Sequence, residues 1–102
     1  MFYKSQGDVN FVATSAAAPA DASARAGRVL AFGEVTGHKH AVLEEDATVL
    51  VRPDGSMYLA APSGATVVHE EHAPVVLPPG NYEVTIDREF DYTQRMQRNV
   101  AD

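Results

Sequence analysis

The sequence predicts a small all-β domain, a barrel or sandwich of about seven or eight short strands. Three observations carry that expectation. β-Branched and aromatic residues fall in short runs, such as Thr48-Val49-Leu50-Val51 and Ala65-Thr66-Val67-Val68. Gly/Pro turn signals separate the runs, as in Arg52-Pro53-Asp54-Gly55 and Pro78-Pro79-Gly80-Asn81. From Tyr82 the chain alternates, with Tyr82, Val84 and Ile86 directed to a core and Glu83, Thr85 and Asp87 to water. The 102 residues of the chain correspond to a single β domain over 1–102.

The first segment, 2–14, reads as one strand or two short ones, with Gln6-Gly7-Asp8 as a turn or bulge between them. Val9 and Phe11 share one face, and Asn10 takes the other. Residues 15–27 are Ala-rich and carry no bulky side chain to anchor a helix, so they form an extended loop. A single helical turn capped by Asp21 is the alternative there. The run 28–35 is a buried strand in which Gly33 marks a bulge, and Gly37 redirects the chain.

Thr48–Val51 and Met57–Ala60 form a hairpin across Arg52-Pro53-Asp54-Gly55, where Pro sets φ and Gly takes the left-handed position. Pro62-Ser63-Gly64 is a turn, 65–68 and 74–77 are short strands, and the last strand spans 82–90. Residues 93–102 are a polar tail or a short helix docked by Met96 and Val100.

Composition excludes several classes. The net charge of −6, from 8 basic and 14 acidic residues, argues against binding nucleic acid or anionic membranes. Arg88, Arg95 and Arg98 give the end of the chain a local positive charge for an acidic partner surface. The first residues lack the sustained apolar run of a signal peptide, and no apolar run approaches a membrane span. The expected location on these grounds is the cytoplasm. No Cys is present, which removes disulfides and thiolate ligands. Ser56 and Ser63 sit in turns with no nucleophile elbow around them, and no Gly-rich phosphate loop is present. No catalytic residue and no organic cofactor site is assigned.

All four histidines lie in two clusters, His38-Lys39-His40 and His69-Glu70-Glu71-His72, on either side of the hairpin. On a strand His38 and His40 project to one face, and Glu44 continues it. His69 and His72 share a face in one helical turn, or meet if the chain turns at Glu70-Glu71. The expectation is a divalent-metal site of His38, His40, His69, His72 and Glu44. Imidazole and carboxylate donors suit zinc first, with iron, manganese and nickel as alternatives. Glu70 and Glu71 would orient the imidazoles. With no ion, the same segments would be solvated polar loops.

Two resemblances add to this reading. His38-Lys39-His40, three residues and then Glu44 resemble the first motif of the cupins, whose His, His and Glu bind metal in a small β-barrel. Pro78-Pro79-Gly80 lacks the His of the second cupin motif, so His69 or His72 would stand in for it. More of the chain is similar to a group of small uncharacterised proteins of bacterial and phage genomes. That similarity rests on Gln6-Gly7-Asp8-Val9, Gly33-Glu34-Val35-Thr36-Gly37-His38-x-His40, His69-Glu70-Glu71-His72-Ala73-Pro74, Leu77-Pro78-Pro79-Gly80-x-Tyr82 and the closing Arg88-Glu89-Phe90 and Val100-Ala101-Asp102. Phe90 stands where that group more often has Tyr. Occurrence in phage implies a virion- or capsid-associated structural protein.

The expected function is a His-rich metal-binding β module with a structural or interaction role. Its partner would be another protein, a second copy or a viral capsid lattice. The rival expectation is a cupin-like metal-dependent enzyme.

Overall fold

Ten strands in two antiparallel sheets make up the described part of the chain, residues 3–32 and 38–87 of a computed structural model. In order they are β1 (Tyr3–Gln6), β2 (Val9–Thr14), β3 (Ser23–Ala24), β4 (Val29–Phe32), β5 (Lys39–Val42), β6 (Thr48–Val51), β7 (Met57–Ala61), β8 (Ala65–Val68), β9 (Val75–Leu77) and β10 (Gly80–Ile86). The larger sheet has the order β1-β2-β10-β7-β6-β3, and the smaller β4-β5-β8-β9. Both sheets end in edge strands, so this is a sandwich and not a closed barrel.

Alternation along the strands supplies the core. Val9, Phe11, Val49, Leu59, Tyr82 and Val84 from the larger sheet pack in one cluster with Leu30, Val42, Val67 and Leu77 from the smaller. Each fully buried Val, Leu or Phe contributes about 1.5–3 kcal/mol relative to exposure. In β10, Tyr82 and Val84 are buried, Ile86 is half-buried against the core, and Glu83, Thr85 and Asp87 are exposed. The β6–β7 hairpin closes with Gly55 N–H donating to Arg52 O and Gly55 at φ 91°.

Several boundaries differ from expectation. The opening segment takes the second of its two expected forms, a pair of strands joined at Gly7-Asp8. Asn10 is on the face opposite Phe11 but is buried too, because Tyr3 Oη donates to its Oδ1 and its Nδ2 donates to Asp87. The 15–27 stretch is largely exposed loop, yet Ser23–Ala24 pairs with Val51 and Leu50. Asp21 does not cap a helix: its carboxylate takes the Arg52 guanidinium at 2.9 Å. Gly80 and Asn81 already belong to β10, because Asn81 pairs with Thr14 on one side and Ala60 on the other. A bulge in β4 falls between Val29 and Ala31. The Gly33 bulge, the Gly37 redirection, Phe90, the C-terminal arginines and the 93–102 tail lie outside the described residues.

One feature of the topology positions the site. After β5 the chain leaves the smaller sheet, forms the β6–β7 hairpin in the larger one, and returns as β8 to pair with β5. The hairpin between the histidine clusters is thus the detour that lets their two strands become neighbours.

Candidate metal centre

The β5–β8 register pairs Ala41 with Val68 and Val42 with Val67. Extended by one residue, it sets His40 opposite His69; extended by two, Lys39 opposite Glu70. The chain then bends over Glu70–His72, without a helical turn, and brings His72 back to the same place. The His69 ring lies 4.3 Å from His40, 4.6 Å from His72 and 5.6 Å from His38, centroid to centroid. His40 and His72 are 6.0 Å apart. All four histidines therefore converge.

His40 is the buried member, 8% exposed, and Gln6 at the end of β1 holds it. Gln6 Nε2 donates to Val67 O at 2.9 Å and to Ala73 O at 2.8 Å. Those two carbonyls fix the amide, because a flip would set its oxygen against both of theirs. Gln6 Oε1 then faces His40 Nδ1 at 2.8 Å. An amide oxygen only accepts, so Nδ1 carries the proton and Nε2 the lone pair. Burial holds the His40 pKa below the usual imidazole value. The neighbouring His69 and His72 lower it further, against the opposing pull of Asp8 and Glu70. At neutral pH His40 is a neutral imidazole with one defined acceptor.

The 69–72 bend is tied on its outer side. Glu71 N–H donates to His69 Nδ1 at 3.0 Å, and the Glu71 carboxylate lies 3.5 Å from His38 Nδ1. Glu70 Oε2 accepts the Lys39 N–H at 2.9 Å, and that bond holds the Glu70 carboxyl below its ordinary pKa. Of the two carboxylates expected to orient the imidazoles, only that of Glu71 meets one, His38; its backbone N–H serves His69, and Glu70 docks the bend onto β5. One nitrogen each of His38 and His69 and one oxygen of Glu70 lie within 4.8 Å of one another. Donors of a tetrahedral zinc ion are roughly 3.4 Å apart, from metal–nitrogen distances of about 2.0–2.1 Å.

Glu44 is engaged elsewhere. β5 ends at Val42, so the alternation that buries His40 and Val42 does not continue to Glu44. Its two oxygens accept from Thr66 N–H at 2.6 Å and Thr66 Oγ1 at 2.8 Å. The Thr66 backbone bond is the main cause of its lowered pKa. Glu44 pins the turn after β5 to β8, and Glu70 and Glu71 are the carboxylates beside the histidines.

Gln6 and Gly7 adjoin the site, although from the sequence they are expected only as a turn and as part of a shared motif, with no site role. Gly7 has φ 56°, and a Cβ there would lie 2.6 Å from His72 Nε2. No local pattern marks Gln6 in the sequence, since Lys4 on the same face of β1 is exposed; only its burial, at 3% exposed, shows that it needs partners.

A β-sandwich with an imidazole–carboxylate cluster where its two sheets meet defines the class. The chain belongs to the family described as "Domain of unknown function (DUF8820)", which matches residues 5–87 and so takes in Gln6, Gly7 and all four histidines. Comparison with curated proteins and with solved structures gives no match. Among the described residues no helix is long and apolar enough to cross a membrane.

Proposed function

We propose that this domain binds a divalent metal ion, zinc in the first place, through its histidine cluster, and that it serves as a structural or interaction module. The observation that carries the reading is the convergence of all four histidine rings from two distant segments, with Glu70 beside His38 and His69. A solvated loop has no need of four adjoining imidazoles, and their mutual repulsion when protonated is a cost that a bound cation removes. His38, His69 and Glu70 form the open rim, with His40 and His72 adjoining. The ion ties the 69–72 bend to β5 and supplements a modest core.

The partner side of the role is a protein surface: a second copy or, by similarity to proteins of phage genomes, a capsid lattice in the cytoplasm or the virion. The exposed 15–27 loop and the exposed Tyr3, Leu43 and Val76 are available for such a contact. A second reading, a metal-dependent enzyme of cupin type, is favoured by one feature. The His38–His69–Glu70 set has two nitrogens and one oxygen, a donor set that suits iron or manganese and leaves coordination positions open.

Cobalt(II) titration followed by visible absorption tests both. The structural reading expects saturable, intense d–d bands of a closed four-coordinate site, lost in His38→Ala and His69→Ala. Weak bands that change on adding azide would favour the open, enzyme-like site. Absence of any saturable band would overturn metal binding.

A further inference from the structure

We propose that Gln6 is the positioning residue of the histidine cluster: its side-chain amide locks His40 in the Nδ1–H tautomer and so keeps the Nε2 lone pair available to a cation. The inference rests on the metal-binding reading for its purpose, but the lock itself is a property of the metal-free protein.

The geometry is complete on all sides. Gln6 sits at the end of β1 in the larger sheet; two of its three partners lie on strands of the smaller sheet and the third in the loop before β9. They are Val67 O in β8, Ala73 O after the bend, and His40 Nδ1 in β5. Both amide hydrogens are used, so the oxygen has no competing orientation. Gln6 is 3% exposed and His40 8%, which leaves little room for water to replace the contact. An imidazole that donates through one nitrogen presents the other as a ligand, and partners of this kind fix tautomer and ring orientation at metal sites. Gln6 also braces Ala73, one residue beyond His72, and Gly7 next to it is the surface on which His72 rests. One residue of β1 therefore sets the His40 proton and bears on the position of the His72 segment.

His69 has the opposite arrangement. Its Nδ1 accepts Glu71 N–H, so its neutral form carries the proton on Nε2. To bind through Nε2, His69 must release Glu71, whereas His40 binds without changing any partner. His40 is the preorganised ligand, and the bend carrying His69 is the part that adjusts.

The test combines the imidazole tautomer with zinc affinity. Long-range 1H–15N correlation spectra of metal-free, 15N-labelled protein read the His40 tautomer, and calorimetric titration with zinc reads affinity. The variants are Gln6→Met, which removes every polar contact at similar size, and Gln6→Glu, which keeps an acceptor for His40 Nδ1–H but loses both amide donors. Wild type is expected to show Nδ1–H at His40. Gln6→Met is expected to lose that preference and to bind zinc roughly 10–100-fold more weakly. Gln6→Glu is expected to melt lower than wild type yet keep the Nδ1–H tautomer and most of the zinc affinity. A purely structural role would lower affinity in step with melting temperature in both variants, and that result would overturn the proposal. So would Nε2–H at His40 in the wild type, whether or not either variant folds. Zinc failing to bind wild type whose His40 is Nδ1–H would leave the lock standing and sink the metal function.

Discussion

His40 illustrates how one side chain's surroundings decide its chemistry. It is buried beside two other imidazoles, and both facts disfavour its charged form. The consequence for stability follows by linkage. With the folded pKa below the unfolded one, the unfolded chain binds the proton more readily, so stability is complete above the ordinary imidazole pKa and falls as pH drops through and below it. We expect metal-free protein to lose melting temperature between about pH 7 and about pH 5, the imidazole range. His40→Asn should flatten that part of the profile. A wild-type profile level across the range, measured by calorimetry in the presence of a chelator, would contradict the assignment. Gly7 gives a second residue-scale expectation. Gly7→Ala places a Cβ in the left-handed region and against His72 Nε2. The backbone term alone is about 1–2 kcal/mol. Urea denaturation should show that loss, and zinc affinity should fall with it because His72 must move.

At the scale of elements, the strands were legible because a period of two is written directly in the residues. β10 shows this in Tyr82, Val84 and Ile86. Turn chemistry was equally plain at Arg52-Pro53-Asp54-Gly55. What the sequence did not disclose was which sheet each strand joins. The β6–β7 hairpin lies in the opposite sheet from β5 and β8, a tertiary arrangement that no local pattern encodes. For the same reason the histidine clusters could be seen as a pair, while the partner of His40 could not: Gln6 is 34 residues away, on another sheet. Glu44 shows the limit of extrapolating alternation past a strand end. Its place beside Thr66 predicts a structural effect. Hydrogen bonds to a buried carboxylate are worth about 1.5–3 kcal/mol, and partial exposure brings this pair below that range. Glu44→Ala should therefore destabilise by about 1 kcal/mol, with zinc affinity nearly unchanged. Glu70→Ala should lower zinc affinity, besides releasing the bend from the Lys39 N–H. The Glu44 contribution is present above the ordinary carboxylate range and fades as pH falls through its lowered pKa. A zinc affinity that collapses in Glu44→Ala and survives in Glu70→Ala, by calorimetry, would assign the carboxylate ligand the other way.

For the whole molecule, the cluster lies where the first hairpin of the larger sheet meets the smaller sheet through Gln6. An ion held there in the folded chain alone would stabilise it by mass action, by about 2.7 kcal/mol when free zinc is 100 times its dissociation constant. For a domain of this size that is a rise in melting temperature on the order of 10 °C or more. The most direct measurement is the metal content of protein purified without a histidine tag, by elemental mass spectrometry, beside the His38→Ala/His69→Ala double variant. The account predicts near-stoichiometric zinc, or another first-row divalent metal, in the wild type and its loss in a variant that remains folded by circular dichroism. Protein free of metal, with a melting temperature that added zinc does not move and the double variant does not lower, would contradict it.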